Sequence, residues 1–225
     1  MQQYTIYKAP STPGLDGEWD GSVWGGIPSL DVDHFHEKGS DHRPVTQAKA
    51  VYDDAGIYVI FRVEDRYVRC VETRRNGSIC ADSCAEFFVE PVAGLGYFNF
   101  EINAGGTLLL HYNDQSAGEP HNWVPLDESR LDQVKIYHSL PQVVDPEIED
   151  PTTWIIEYFA PYELFEADVG PVTRGPGTVW RGNFYKCGDA TSHPHWAMWN
   201  RVEGELSFHK PEWFAPLPLS DGLTG

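Results

Sequence analysis

Basic residues are scarce. The 225-residue chain carries 16 Lys and Arg against 34 Asp and Glu, a formal net charge of −18. That balance argues against nucleic acid and against anionic membrane surfaces, both of which select clustered cations. No apolar run approaches the roughly 20 residues of a membrane-spanning helix, so no membrane insertion is expected. The opening MQQYTIYKAPSTPG lacks a basic stretch followed by an apolar one, so no signal peptide is visible. The expected compartment is therefore the cytoplasm, or the periplasm or exterior if a leader has been removed. Cysteine is sparse as well. Cys70, Cys80, Cys84 and Cys187 are too few for a disulfide scaffold in a chain this long. Cys80 and Cys84 are not a C-x-x-C pair, and no second Cys/His pair completes a zinc pattern; buried free thiols are expected, with one disulfide as the alternative. Helical pattern is nearly absent, with one or two turns at 161–167 opened by Pro161.

What is present is alternation. In YFNFEIN, Phe98, Phe100 and Ile102 fall on one face and Tyr97, Asn99, Glu101 and Asn103 on the other, the period-two signature of a strand. The preceding DSCAEFFVEP reads the same way and carries Glu86. One face suits a core, and the other suits a ligand rich in hydroxyls. Further strands are expected near 48–52, 57–64, 84–90, 97–103, 107–112, 134–138, 153–159 and 179–187, with Asp53-Asp54-Ala55-Gly56 turning the first hairpin. A long polar stretch separates Tyr112 from Leu131, and residues 65–81 form a loop bearing Arg66, Arg69, Arg74 and Arg75 that is expected to be solvated. The fold class is all-β: an antiparallel β-sandwich with jelly-roll or immunoglobulin-like layers and at most one short helix. It is expected to form one domain over 1–225. Within it, 1–44 is a Gly/Pro/Asp-rich segment packed on the sandwich through Trp19 and Trp24.

Several residue sets could carry chemistry. His34-Phe35-His36 and His193-Pro194-His195 have metal-ligand types, but the first lies in a loop and the second is interrupted by proline. Glu86 and Glu101, on neighbouring predicted strands, could share a face as the carboxylate pair of a glycoside hydrolase, or could accept sugar hydroxyls without doing chemistry. Asp16, Glu18, Asp20, Asp53 and Asp54 could offer oxygen to calcium or simply form turns. No G-x-S-x-G motif is present, and Asn103-Ala104-Gly105-Gly106 lacks the Lys and helix of a phosphate loop.

Six segments in order carry a resemblance: LDGEWD, AKAVYDDAGIYVIFRVED, DSCAEFFVEP, YFNFEINAGGT, TVWRGNFYKCGD and FHKPEWFAPLPL. Together they resemble the family 9 carbohydrate-binding module and its single-domain relatives within the DOMON-like sandwich group, over most of the chain. The resemblance implies noncatalytic binding of the ends of glucan or xylan chains, no required cofactor, and structural calcium in some members. It implies a ligand face of Glu86, Glu101, Asn103, Asn183, Tyr185 and Trp199. Two positions depart from the family pattern. Cys80 or Ile79 stands where a first stacking Trp is expected, and Glu101 replaces an Arg of the site. A one-sided aromatic plate drawn from Trp196, Trp199 or Tyr97 is the resulting expectation. The alternatives are a sugar-active enzyme using Glu86 and Glu101, and a DOMON-like haem or redox domain using Met198 with a histidine.

Overall fold

The computed structural model describes residues 2–114 and 122–223. Part of the polar stretch that follows Tyr112, residues 115–121, lies outside the described residues. In chain order the strands are β1 (Ile6–Lys8), β2 (Leu30–Asp31), β3 (His34–Phe35), β4 (Val45–Tyr52), β5 (Gly56–Asp65), β6 (Val68–Cys70), β7 (Cys84–Glu90), β8 (Gly96–Asn103), β9 (Leu108–Asp114), β10 (Trp123–Pro125), β11 (Lys135–His138), β12 (Val144–Ile148), β13 (Thr152–Pro161), β14 (Val179–Cys187), β15 (Trp196–Met198) and β16 (Ala215–Ser220). Two helices accompany them, α1 (Glu128–Leu131) and α2 (Tyr162–Val169). The helix expected at 161–167 is α2, with Pro161 at its N-cap rather than inside its first turn. The expected limit of one helix is exceeded by α1, a single turn whose Arg130 N–H is capped by the Asp127 side chain.

Two sheets face each other. One runs β1-β4-β5-β13-β11, with β2 on β4; the other runs β10-β9-β8-β7-β14, with β15 on β14 and β3 on β15. The last strand, β16, joins them: it pairs antiparallel with β14 and parallel with β1. The space between is filled by the inward residues of both sheets. These include Ile57, Val59, Phe61 and Val63 of β5, Phe87 and Val89 of β7, Phe98, Phe100 and Ile102 of β8, and Trp154, Ile156 and Tyr158 of β13. Every inward side of an expected alternating strand is thus used as core, the outcome that period-two patterning dictates. The β4–β5 turn is held by Asp53, whose Oδ1 accepts from the N–H groups of Ala55 at 2.8 Å and Gly56 at 3.1 Å.

Both sheets are also covered on their outer faces. The N-terminal segment lays Val23, Trp24 and Ile27 over Val51, Tyr58 and Ile60 of the first sheet. It is fastened by Glu157, which is fully buried and accepts from the Trp24 indole at 2.9 Å and from Gly17 N–H at 2.8 Å. Gly17 has φ +76°, and a Cβ there would lie 2.2 Å from the Tyr137 ring, so no other residue fits. On the second sheet, Val202, Phe208 and Phe214 cover Phe88, Tyr97 and Tyr185. The polar face read from β7 and β8 is therefore roofed over, and every residue of both strands is buried. Among the described residues no helix is long and apolar enough to cross a membrane.

Candidate functional site

Beneath the roof over the second sheet lies a cavity of about 270 Å³. Glu86 and Glu101 form its floor, the Cys80, Cys187, Asp189 and Trp196 side chains stand around it, and the segment Leu206–His209 closes the top. Parity explains the floor. Glu86 of β7 and Glu101 of β8 are direct register partners and point to the same outer face.

The two carboxylates are 2% and 6% exposed. Burial, followed by the charge of Glu101, pushes the Glu86 carboxyl well above the usual carboxylate range. Burial likewise raises Glu101, to about 7, against the opposing pull of its hydrogen bond from Asn99. That bond, Asn99 Nδ2 to Glu101 Oε1, is 2.9 Å long, and Asn99 is itself oriented by Asn113 Nδ2 at 2.7 Å. Asp189, at the end of β14, is raised by burial too. Its Oδ1 accepts the Trp196 indole N–H at 2.7 Å. Trp196, half-buried, pairs with Cys187 at the β14–β15 edge, so its indole stands beside the cavity. Opposite, Phe208 stacks on Tyr185 with ring centroids 4.1 Å apart, and the Tyr185 hydroxyl donates to the Phe208 carbonyl at 3.1 Å.

The structure divides the six residues implied by the resemblance. Glu86 and Glu101 line the cavity together. Tyr185 lies beneath it, with its hydroxyl engaged by the roof. Asn103 and Asn183 have their amides used by the backbone. Asn103 donates to the Glu72 carbonyl and Asp82 and accepts from Thr107 N–H. Asn183 donates to the Asn200 carbonyl and accepts from the N–H groups of Phe184 and Asn200. Trp199, 2% exposed, faces the core between the sheets and meets Tyr4 and Phe184 edge-on. Tyr97 is buried with its hydroxyl on His209. Of the three aromatic rings considered as a plate, only Trp196 reaches the cavity.

No local pattern marks Asp189, Phe208 or His209: the FHKPE segment meets the sheet only through a fold-back that the sequence around it does not encode. The other candidate sets are placed as follows. His193 stacks on Tyr67, and His195 bonds to Lys186. Met198 accepts from Val202 N–H through its sulfur. Asp16 caps the turn at Glu18, and Asp54 pairs with Lys8. Arg69 and Arg75 of the Arg-bearing loop pair with Asp82 and with Glu128 and Asp132.

Comparison with known proteins follows the same architecture. The family model for carbohydrate-binding family 9 matches residues 26–219. The chain belongs to carbohydrate-binding family 9. A solved Bacteroides uniformis protein, assigned to carbohydrate binding, superposes with a TM-score of 0.85 at 26% identity, covering 97% of this family 9 chain and 99% of that one. A family 9 module of Caldicellulosiruptor kristjanssonii in complex with glucose shares the fold at 12% identity and a TM-score of 0.63, over 99% and 97% of the two chains. In complex with cellotriose, a family 9 module of that organism superposes at 0.66, with 12% identity, over 99% and 95%. No curated protein matches the chain.

Proposed function

We propose that this family 9 chain binds carbohydrate noncatalytically, taking one sugar ring of a glucan, xylan or related chain end into the cavity above Glu86 and Glu101. The observation that carries the reading is the buried cross-strand carboxylate pair facing a space walled by Trp196 and Phe208. A pyranose has an apolar face and a rim of hydroxyls. Trp196 offers a plate to the face, while Glu86, Glu101 and Asp189 offer acceptors to the rim. The volume lies just below the roughly 300 Å³ lower end of small-molecule sites, which suits a single ring with the rest of the chain outside. The family 9 modules seen with glucose and cellotriose share the fold. The side-by-side placement of the two acids on one sheet also favours hydroxyl acceptance over hydrolysis, in which two carboxyl groups flank the scissile bond.

One aromatic plate and a few buried acceptors suit affinities in the micromolar-to-millimolar range, about −8 to −4 kcal/mol. Calorimetric titration with glucose, cellotriose and xylotriose tests the reading. Binding of at least one of them, without turnover and with loss in Trp196→Ala, is the expected result. Equal binding by wild type and Trp196→Ala would overturn the site.

A further inference from the structure

Beneath the cavity, three metal-type donors meet that no sequence spacing advertises. Cys84 and Cys187 are register partners on β7 and β14, and Glu86, two residues beyond Cys84, points to the same face. One ligand atom from each lies within 4.8 Å of the others, and among the described residues this is the one group of three or more such donors so close. Glu86 Oε1 is 2.9 Å from Cys187 Sγ and 3.9 Å from Cys84 Sγ. A tetrahedral zinc, with bonds of about 2.3 Å to sulfur and about 2.1 Å to oxygen, holds such ligands about 3.6 Å apart. We propose that Cys84, Glu86 and Cys187 bind one divalent cation of the zinc class, with the fourth position open to the cavity.

The charge inventory supports a cation here. Glu86, Glu101 and Asp189 converge on one small space, and among the described residues none of them forms an ion pair. The buried ammonium of Lys186 belongs to the same strand as Cys187 but has the opposite parity, and it meets Asp65 at 3.5 Å on the inner side. A buried carboxylate that is neither paired nor protonated is costly; a divalent ion would pair the two buried acids, Glu86 and Glu101, whereas Asp189 is exposed. Two thiolates make the set soft, which selects zinc over calcium or magnesium. Glu86 and Cys187 reach the cavity, so an ion has a way in, and a water entering from the cavity supplies the fourth ligand.

The inference shares Glu86 with the sugar reading but does not rest on it. The test is a cobalt(II) titration of the full chain, reduced and stripped with chelator, followed by displacement with zinc. The expected result is one equivalent bound with thiolate-to-cobalt charge-transfer absorption, lost in Cys84→Ser and in Cys187→Ser and kept in Cys70→Ser. Wild-type protein that binds cobalt without that absorption, or binds none, overturns the proposal, and so does a band that survives the paired Cys84→Ser, Cys187→Ser variant. Sugar titration of the metal-stripped chain separates the two readings. Sugar binding without a cobalt band removes the metal site alone, and a cobalt band without sugar binding removes the sugar site alone.

Discussion

The indole N–H of Trp196 donates to Asp189 Oδ1 at 2.7 Å, across the turn that joins β14 to β15. The bond anchors the ring beside the cavity, so the plate and acceptor proposed for the sugar are linked. Trp196→Ala should weaken sugar binding by about tenfold or more, equivalent to about 1.4 kcal/mol per factor of ten. Asp189→Ala leaves the ring in place but unanchored, and a smaller loss is expected. Thermal unfolding of both variants should stay near wild type, since Trp196 is half-buried. Calorimetry beside a melting curve checks both statements.

Trp199 should behave in the opposite way. Its ring fills the core against Tyr4 and Phe184, and Trp→Ala in such a position costs about 3–5 kcal/mol through lost contacts and the cavity left behind. Urea unfolding of Trp199→Ala should show that loss. Trp199→Phe, which keeps most of the ring, should retain sugar affinity; a large affinity loss in a stably folded Trp199→Phe would return this residue to the binding site.

Acid should destabilise the fold through His195. This ring is 1% exposed; its Nδ1–H donates to the His193 carbonyl, and its Nε2 therefore accepts from Lys186 Nζ at 2.7 Å. Burial, then the Lys186 charge, lowers its pKa from 6.5 to about 3, with Asp65 pulling the other way and His42 adding to the repulsion. Between those values the unfolded chain holds a proton that the folded chain refuses. Stability is then complete above pH 6.5 and falls as the pH drops toward 3, by about 1.4 kcal/mol per unit. Burial pushes the Asp65 carboxyl up, but Lys186, the His42 bond and His195 outweigh it and hold it below 3.8, so its contribution is lost later, below that value. Denaturant midpoints measured from pH 7 to pH 4 test the slope. A flat profile would show that His195 is already protonated in the fold.

Lys186 is the cation that this cluster cannot lose. Its side chain and that of Asp65 are both fully buried, 3.5 Å apart, with Trp154 Nε1 on Asp65 at 3.2 Å. Lys186→Met should cost about 3–5 kcal/mol by leaving a buried carboxylate without its cation. The paired variant Lys186→Met, Asp65→Asn should recover part of that loss in a double-mutant cycle of unfolding free energies.

Much of the fold could be read from alternation. The strand expected at 84–90 is β7 to the residue, and those expected at 57–64, 97–103 and 179–187 differ from β5, β8 and β14 by at most one residue at either end. The strands that escaped were short or carried proline. Asp145-Pro146 interrupts β12, and Pro216 and Pro218 punctuate β16, yet β16 is what joins the two sheets. Its prolines alternate with Ala215, Leu217 and Leu219, which point inward, so the period was there beneath residues that usually disfavour strands.

Local pattern was enough for the all-β class, for the inward face of each long strand, and for the expectation that Glu86 and Glu101 could share a face, because parity is a local property of an extended chain. It also carried the family, through six segments in order. Which of those residues line the cavity depends on how the distant strands pair and fold back. Trp196 and Trp199 lie three residues apart, an odd offset that alternation sends to opposite faces, and the register of β15 on β14 decides that Trp196 takes the cavity side and Trp199 the core. Likewise Cys84 and Cys187, 103 positions apart in sequence, become neighbours through the β7–β14 register. Pairing between distant strands is set by packing across the whole sandwich, and no spacing along the chain records it.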